Sequence, residues 1–340
     1  MRMMRRLHHD EGGAVLALYA LAFVAILGML SLTLDLGRAV AVKRDMVNGA
    51  DAAALGAAQE CAIARNATSA QAVAADLTAE NRDGATVTSF SAPDCEATTL
   101  TNVRTVTVST LTAMDYFVAP IVGFDDVNVV ADATAVYGPI AGARAVPISV
   151  NYETLLGCGI PANRPPQGGV VECDLSYPKD LLMNPRWGIL DLSHWDDPNA
   201  APCHVSASEL KNMIVHGGSA SEYWINPPPE PTWDCLDNGL SDSVWETLEG
   251  FELLFPVIDV PTSTGEFKPK GGDCTGAQPN CQIDTANVLG WILLYVPPGG
   301  VTKHGPNVFV HVEWSGSDLS TKGLPGPAPD FGAYAVRLVD

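Results

Sequence analysis

The sequence predicts an α+β fold: an N-terminal transmembrane helix that continues outside the membrane, a small antiparallel sheet domain, and a β-rich C-terminal domain with two short helices. Three observations predict this fold. An uncharged apolar run fills residues 12–34. Segments rich in Val and Thr alternate in period two between residues 85 and 137. Apolar segments bounded by Pro and Gly recur from residue 251 to residue 339.

The apolar run is the predicted transmembrane segment. It reads GGAVLALYALAFVAILGMLSLTL, and at ~1.5 Å per helical residue its length spans the roughly 30 Å hydrocarbon core of a bilayer. It is apolar around its whole circumference, whereas a core helix of a soluble domain normally keeps one polar face. Residues 1–11 form a basic segment before it, which we expect in the cytoplasm.

Cysteine usage predicts the orientation of this helix. Basic residues lie on both sides of the run, so the positive-inside rule does not decide between the two orientations. The eight cysteines all follow the run, as is typical of disulfides in an exported domain. We therefore expect a single pass through the cell membrane, a cytoplasmic N-terminus, and an extracytoplasmic region that holds Cys61, Cys95, Cys158, Cys173, Cys203, Cys235, Cys274 and Cys281.

A cleaved signal peptide is the alternative interpretation of the run. Ala39 and Ala41 form an A-x-A-like cleavage site after a basic segment. Against cleavage, the run is longer than the about 7 to 15 apolar residues of a signal peptide. Asp35 and Arg38 also separate the run from that site, and the helical pattern continues through it.

The helix is predicted to continue beyond the membrane, because residues 36–60 are rich in Ala and contain no Pro. Small side chains recur along it at three- and four-residue steps, which permits a sheet or another helix to approach closely. We expect the sheet of this same protein at Ala50, Ala54 and Ala58. Gly28 and Ser31 offer the same opportunity to partner helices within the membrane.

Residues 8 to 60 resemble the N-terminal module of the Tad (Flp) pilus-assembly TadE/TadG-like proteins. The resemblance rests on the basic start, a Gly-Ala step, the apolar run and two motifs, DLGR and NGADAAAL, which contain Asp35, Gly37, Arg38, Asn48 and Asp51. Two positions depart from the family pattern: Val47 and Gly49 stand where the family commonly has Gln and Ala.

The resemblance implies a membrane-anchored component of pilus assembly, with the membrane and other pilus-assembly or envelope proteins as its partners. The motif residues are expected to be structural anchors at an interface rather than catalytic groups. A long helix followed by a small antiparallel sheet is also similar to the type IV pilins. The fifth residue after the candidate cleavage glycines is Leu18 or Ala17, not the Glu of processed pilins, which favours a retained anchor.

The first ectodomain region, residues 35–138, is predicted to contain a second helix and a small sheet. The expected helices cover residues 68–81 and 112–122, and the expected strands cover residues 85–90, 102–110 and 127–137. The turn-rich sequence GPIAGAR at residues 138–144 is the predicted boundary to the second region, residues 139–340.

The second region is predicted to begin with a loop-rich stretch, residues 151–205. Capping signals then predict two short helices, one after Ser206 and one after Ser241 that ends at Gly250. Apolar segments predict strands over residues 251–260, 287–296, 307–314 and 332–339, in a sandwich or barrel-like domain.

Eight cysteines allow 105 pairings, and the sequence does not decide between them. Short loops favour local partners, so we predict the pairs Cys61 with Cys95, Cys158 with Cys173, Cys203 with Cys235, and Cys274 with Cys281.

The sequence predicts no catalytic site, metal site, cofactor or small-molecule substrate. The net charge of −20 at pH 7 argues against nucleic acid as a partner. The run from Asp191 to Trp195 lacks the second hydroxyl of a metal-dependent adhesion motif. The remaining candidate ligands have no spacing typical of a metal site: His194, Asp196, Asp197, His204, His311 and Glu313.

We therefore predict a non-enzymatic, single-pass component of a Tad/Flp-type pilus-assembly or cell-surface system. Its acidic ectodomain is expected to contact other proteins. The alternative is an exported or anchored hydrolase with an unrecognised site, which a pocket with converging acid, base and nucleophile would reveal.

Overall fold

The computed structural model describes residues 12–122, 125–143, 146, 148–160, 169–177, 189–190, 223–224, 231–236, 242–259, 281–304, 307–315, 318–319 and 323–339. These residues form a mixed α+β structure: one long N-terminal helix, a second helix, and a body of two sheets. The predicted helix after Ser206 lies outside the described residues, as do Cys203 and Cys274.

Helix α1 spans Gly12–Ile63, 52 residues without a break. Its apolar run is exposed, with 75% of Leu16 and 61% of Phe23 accessible, whereas Val42 and Met46 are buried. In the described part of the chain, α1 is the one helix long and apolar enough to cross a membrane. Because α1 is continuous as far as Ile63, the predicted continuation of the apolar helix beyond residue 34 is confirmed.

Helix α2 (Ala67–Asn81) folds back against α1. Arg65 reverses the chain between the two helices with a positive φ of 53°. The Asn66 side chain then caps α2, since its oxygen accepts a hydrogen bond from the backbone N–H of Ser69 at 3.0 Å. The predicted second helix is confirmed, with its start one residue earlier than expected.

The first sheet lies against α1. Its long central pair is β2 (Arg104–Asp115) and β3 (Asp126–Ala143), which run antiparallel from Arg104 opposite Tyr137 to Asp115 opposite Asp126. The other strands flank this pair: β1 (Thr86–Ser91) beside β2, β15 (Ala333–Val339) beside β3, β13 (Asp318–Leu319) parallel to β15, and β7 (Tyr223–Trp224) and β14 (Gly323–Pro325) at the end of β3.

Small side chains fill the core between α1, α2 and the first sheet. Ala50, Ala54 and Ala58 are fully buried in this core. Packing of this stripe onto the protein's own sheet stays a prediction. Gly56 marks the closest approach of the two helices, because a Cβ at this position would lie 2.4 Å from Cδ1 of Leu77.

The second sheet carries the aromatic core. Trp245, Trp314, Phe255 and Phe331 are among its fully buried side chains. Its strands are β4 (Val150–Asn151), β5 (Val171–Tyr177), β6 (Ile189–Leu190), β8 (Pro231–Leu236), β9 (Phe251–Asp259), β10 (Cys281–Val296), β11 (Val301–His304) and β12 (Asn307–Trp314). The strands predicted near residues 251–260, 287–296 and 307–314 are confirmed.

Two disulfides join described residues, and both pairs are those predicted. Cys61 at the end of α1 bonds Cys95 in the segment between β1 and β2, with 4.8 Å between the two Cα atoms. Cys158 bonds Cys173 of β5. For the other two predicted pairs, the partners Cys203 and Cys274 lie outside the described residues, so these pairs stay predictions.

The helix predicted over residues 112–122 is largely wrong. Strand β2 continues to Asp115, and a 3₁₀ turn follows only at Ala119–Val122. The physical reason is that pairing with β3 extends to the end of β2, and burial alternates along it, with Thr110, Thr112 and Met114 facing the core. Cross-strand pairing therefore overrides the local helical preference.

The turn predicted over residues 138–144 is also wrong, because β3 runs through to Ala143. Pairing explains the difference: β15 lies opposite residues 134–139 of β3, and β14 lies opposite residues 140–143. The strand predicted at residues 332–339 exists, but it completes the first sheet rather than a C-terminal sandwich. The final strand thus joins the region that the sequence assigns to residues 35–138.

Short helices also differ from prediction. Helix α3 (Tyr152–Gly157) occupies the stretch predicted to be loop-rich, where the Asn151 side chain accepts a hydrogen bond from the backbone N–H of Glu153 at 2.7 Å. The helix predicted after Ser241 is observed as a short helix α4 (Asp242–Trp245) followed by a 3₁₀ turn (Glu246–Leu248). Gly250 ends it with a φ of 79°.

The contact between α1 and α2 generates a stability prediction. Replacing Gly56 by Leu is expected to lower the free energy of unfolding by about 1–3 kcal/mol, because the added atoms overpack the contact with Leu77 and Val73. Denaturant unfolding of the full chain in detergent, followed by circular dichroism, measures the change.

Gly37 provides the matched control on the same helix. Nothing lies within 4 Å of a Cβ added there, so Gly37→Leu is expected to leave stability unchanged or raise it by up to about 1 kcal/mol through helix propensity. Equal effects of the two substitutions would contradict the packing role of Gly56.

Candidate functional site

The residues singled out from the sequence lie where α1 leaves its apolar run and enters the ectodomain. Asp35 is buried, with 5% of its surface accessible, whereas Gly37 and Arg38 on the next turn are exposed. Asn48 is exposed and Asp51 is half-buried farther along the helix. The five positions therefore do not form one cluster, and Asp35 is the position that the fold encloses.

Asp35 holds the segment that follows β2. Its carboxylate accepts hydrogen bonds from three consecutive backbone N–H groups: Phe117 at 2.7 Å, Val118 at 3.2 Å and Ala119 at 2.9 Å. Three converging amides satisfy a carboxylate as the start of a helix does, and Ala119 begins the 3₁₀ turn. Arg38 on the same helix contributes through its positive charge.

These contacts set the protonation state of Asp35. Burial is the largest single influence and by itself raises the pKa of the carboxyl group. The hydrogen bonds from the three amides, together with the positive charge of Arg38, outweigh burial and lower the pKa below its ordinary value of 3.8. Asp35 therefore stays ionised at neutral pH and holds its three donors with a full charge.

A second buried polar cluster lies at the other end of α1. The Nη2 atom of Arg65 donates to Oδ2 of Asp330 at 2.7 Å and to the hydroxyl of Tyr334 at 2.6 Å. That hydroxyl donates in turn to Oδ1 of Asp330 at 2.7 Å. Asp330 is completely buried and also accepts from the backbone N–H groups of Leu100 and Gly332.

The environment of this cluster favours a fixed protonation state. Burial raises the pKa of Tyr334, and the negative charge of Asp330 raises it further, so the hydroxyl keeps its proton. Burial alone lowers the pKa of Arg65, but Tyr334 and Asp330 outweigh it and raise the pKa. Nη1 of Arg65 also donates to the carbonyl oxygens of Ala97 and Thr98. All three side chains are committed to internal hydrogen bonds, which makes the cluster a structural connection.

The Asp35 contact and the Arg65–Asp330–Tyr334 cluster lie at opposite ends of the length over which α1 and β2 run side by side. From Asp35 to Ile63, α1 covers about 42 Å at ~1.5 Å per residue, and the twelve residues of β2 cover about 40 Å at ~3.4 Å per residue. The segment before β2 is held by Arg65, and the segment after it is held by Asp35. Helix and strand are thus fastened to each other at both ends.

The small residues predicted for helix packing divide into two groups. Ala50, Ala54 and Ala58 are buried within the protein. Gly28 is exposed, and nothing lies within 4 Å of a Cβ added to it. Nothing lies within 4 Å of a Cβ added to Gly37 either.

The candidate metal ligands do not assemble in the described residues. His194, Asp196, Asp197 and His204 lie outside them, as do Asp191 and Ser193. His311 and Glu313 lie on β12, where Nδ1 of His311 contacts Oδ1 of Asp174 at 2.8 Å on an exposed surface. Within the described ranges, no three His, Cys, Asp or Glu side chains gather to hold a metal ion.

Sequence reasoning missed the partners of both polar contacts. Asp35 binds backbone amides 82 residues or more away, and amides carry no residue signature. Arg65 and Asp330 are 265 residues apart. An isolated Asp–x–x–x–Tyr near the C-terminus was the available signal for the second cluster, and it is too common to identify one.

Comparison with known proteins finds a match for the N-terminal part of the chain. Residues 13–60 match the Tad family model, described as Flp pilus-assembly TadE/G-like. The resemblance predicted from the sequence is thereby confirmed for this module, which includes Asp35, Gly37, Arg38, Asn48 and Asp51. No curated protein and no solved structure matches the chain.

The contact of Asp35 with the three amides generates a pH prediction. Asp35→Asn removes the negative charge and is expected to lower the unfolding temperature of the full chain in detergent at pH 6. Because the folded pKa is depressed, the stabilisation is present above pH 3.8 and is lost as the pH falls through the folded pKa. The gap between wild type and variant should therefore narrow as the pH falls below 3.8.

Asp45→Asn is the control for this experiment. The Asp45 side chain is half exposed and lies 3.5 Å from Arg82, an arrangement that contributes little to stability. We expect only a small change in unfolding temperature at either pH. A deficit of Asp35→Asn that stays constant over the whole acid range below pH 3.8 in which the chain is still folded would show that charge is not what holds the segment.

Proposed function

We propose that this protein is a non-enzymatic, single-pass membrane-anchored component of a Tad/Flp-type pilus-assembly or cell-surface system. The observation that carries the proposal is the continuity of α1. The module that matches the TadE/G-like model begins in an exposed apolar helix, and the same helix ends in the core of the ectodomain. An anchor built in this way fixes the position of the ectodomain relative to the membrane.

The proposed orientation places the N-terminus in the cytoplasm and the ectodomain outside. The disulfides Cys61–Cys95 and Cys158–Cys173 support it, because such bonds form and persist in oxidising compartments. The ectodomain is proposed to contact other envelope or pilus-assembly proteins through its acidic surface.

The pilin-like character is proposed for the part around α1. A long helix packed on an antiparallel sheet is similar to the architecture of type IV pilins, and β1, β2, β3 and β15 supply that sheet here. The apolar run lacks a Glu at its fifth position, so we propose that the segment is retained as an anchor. Within the membrane, the free surface at Gly28 is proposed to receive helices of partner proteins.

The orientation can be measured with a reporter. Alkaline phosphatase fused to the C-terminus of the full chain is expected to be active, since this enzyme folds only where its disulfides form. A green fluorescent protein fused at the same point is the reciprocal control and should stay dark if exported through the general secretory route. If the phosphatase is active but protein sequencing finds a mature N-terminus at Val42, the apolar run is instead a cleaved signal peptide.

The partner-helix role of Gly28 can be measured by co-purification. Gly28→Leu is expected to abolish recovery of pilus-assembly proteins with the tagged full chain, because a bulky side chain keeps partner helices apart. The ectodomain should stay folded and oxidised, since Gly28 lies outside its core.

Two variants serve as controls for that experiment. Ala22→Leu makes a similar small-to-large change about 120° around the helix from Gly28 and should leave recovery intact. Ala54→Leu enlarges a fully buried side chain and should destabilise the ectodomain itself. Recovery by Gly28→Leu equal to that of wild type would mean that the helix only tethers.

A further inference from the structure

The segment after β2 presents an apolar surface next to the membrane helix. Phe117 is 76% exposed, more than any other large hydrophobic side chain in the described residues. Pro120 is exposed beside it, and Val118 is half-buried. We call residues 116–120 the β2–β3 segment.

The hydrogen bonds to Asp35 fix the position of the β2–β3 segment along α1. Asp35 is the first charged residue after the apolar run, so it marks the end of the span. In an α-helix each Cα–Cβ bond tilts toward the N-terminus, which directs the Asp35 side chain back toward the bilayer. The amide nitrogens of Phe117, Val118 and Ala119 lie 2.7, 3.2 and 2.9 Å from the oxygens of this carboxylate, so the β2–β3 segment lies at the end of the apolar run.

The charged residues beside the β2–β3 segment are exposed to solvent, as a position at the membrane surface requires. Three exposed aspartates flank the segment: Asp115 at the end of β2, Asp126 at the start of β3, and Asp125 immediately before it. Such residues stay in water, while an exposed aromatic ring beside them suits the headgroup region, where aromatic side chains of membrane proteins gather. These acidic side chains repel anionic lipid headgroups. The attraction of the segment to the membrane therefore comes from its apolar surface.

We infer that the β2–β3 segment is a second membrane contact, in which the Phe117 ring enters the outer headgroup region of the bilayer that α1 crosses. This inference rests on the proposed function, since it requires α1 to span that membrane. A single helix leaves the ectodomain free to rotate about the membrane normal and to tilt. A second contact beside the helix limits the tilt and sets which face of the ectodomain looks along the membrane.

The experiment uses the full chain in phosphatidylcholine nanodiscs with brominated acyl chains, which quench nearby tryptophan. Phe117→Trp retains an aromatic ring at an exposed site, so the fold is kept. The emission that this variant adds over wild type is expected to be lower in brominated than in unbrominated nanodiscs, because aromatic rings of membrane proteins lie at the headgroup level next to the acyl chains.

Val103→Trp is the matched control, because Val103 precedes the far end of β2 and is 38% exposed. About 40 Å of strand separates it from the β2–β3 segment, so brominated lipid should not quench it. Iodide in the buffer should quench Val103→Trp more strongly than Phe117→Trp.

Several outcomes would overturn the inference. If the chain stays membrane-integral in alkaline carbonate but brominated lipid leaves Phe117→Trp unquenched, the segment does not contact lipid, and the proposed function stands. Protection of Phe117→Trp from iodide without quenching by brominated lipid would show that protein, from this chain or a second copy of it, covers the ring instead of lipid. Release of the chain by carbonate would overturn the membrane anchor and the second contact together.

Discussion

Close packing of a small-residue stripe on α1 is the constraint on which the rest of this structure depends. Ala50, Ala54 and Ala58 are buried to completion, and Gly56 lets α2 approach where a Cβ would already collide. Such a contact leaves little room for adjustment, because protein interiors are packed as densely as organic crystals. Sliding the helix within this core would break the close contacts, so the residues that follow the apolar run set the position of the helix against its neighbours.

Polar contacts at the two ends of the packed length reinforce this position. Asp35 satisfies three amides at the membrane end, and Arg65, Asp330 and Tyr334 satisfy one another at the distal end, where the Cys61–Cys95 disulfide also lies. Breaking a buried ion pair by removing one partner typically costs about 3–5 kcal/mol. The distal cluster thus makes the last strand of the chain, β15, part of the first folded unit in the sequence.

Local signals in the sequence predicted the long elements and missed many short ones and the connections. The apolar run, α1, α2 and the strands β1, β2, β3, β9, β10, β12 and β15 follow from periodicity and composition, which act over a few residues. By contrast, α3 and β5 lie in the stretch predicted to be loop-rich. The course of β3 through residues 138–143 could not be predicted, because Pro139 and the glycines there indicate a turn until β14 and β15 pair with them. Asp35 was identified as an anchor, but its partners are backbone amides, which no residue pattern reveals.

The continuity of α1 also determines how the anchor acts on the ectodomain. No Pro interrupts the 52 residues of the helix, which removes a common cause of a kink at which its two halves could swing independently. The ectodomain is packed onto that helix rather than joined to it by a linker. A tilt of the membrane segment, or a partner helix that displaces it, therefore moves the first sheet as one body. Because β15 belongs to that sheet, the same movement reaches the C-terminal part of the chain, which makes the membrane helix an orienting element as well as a tether.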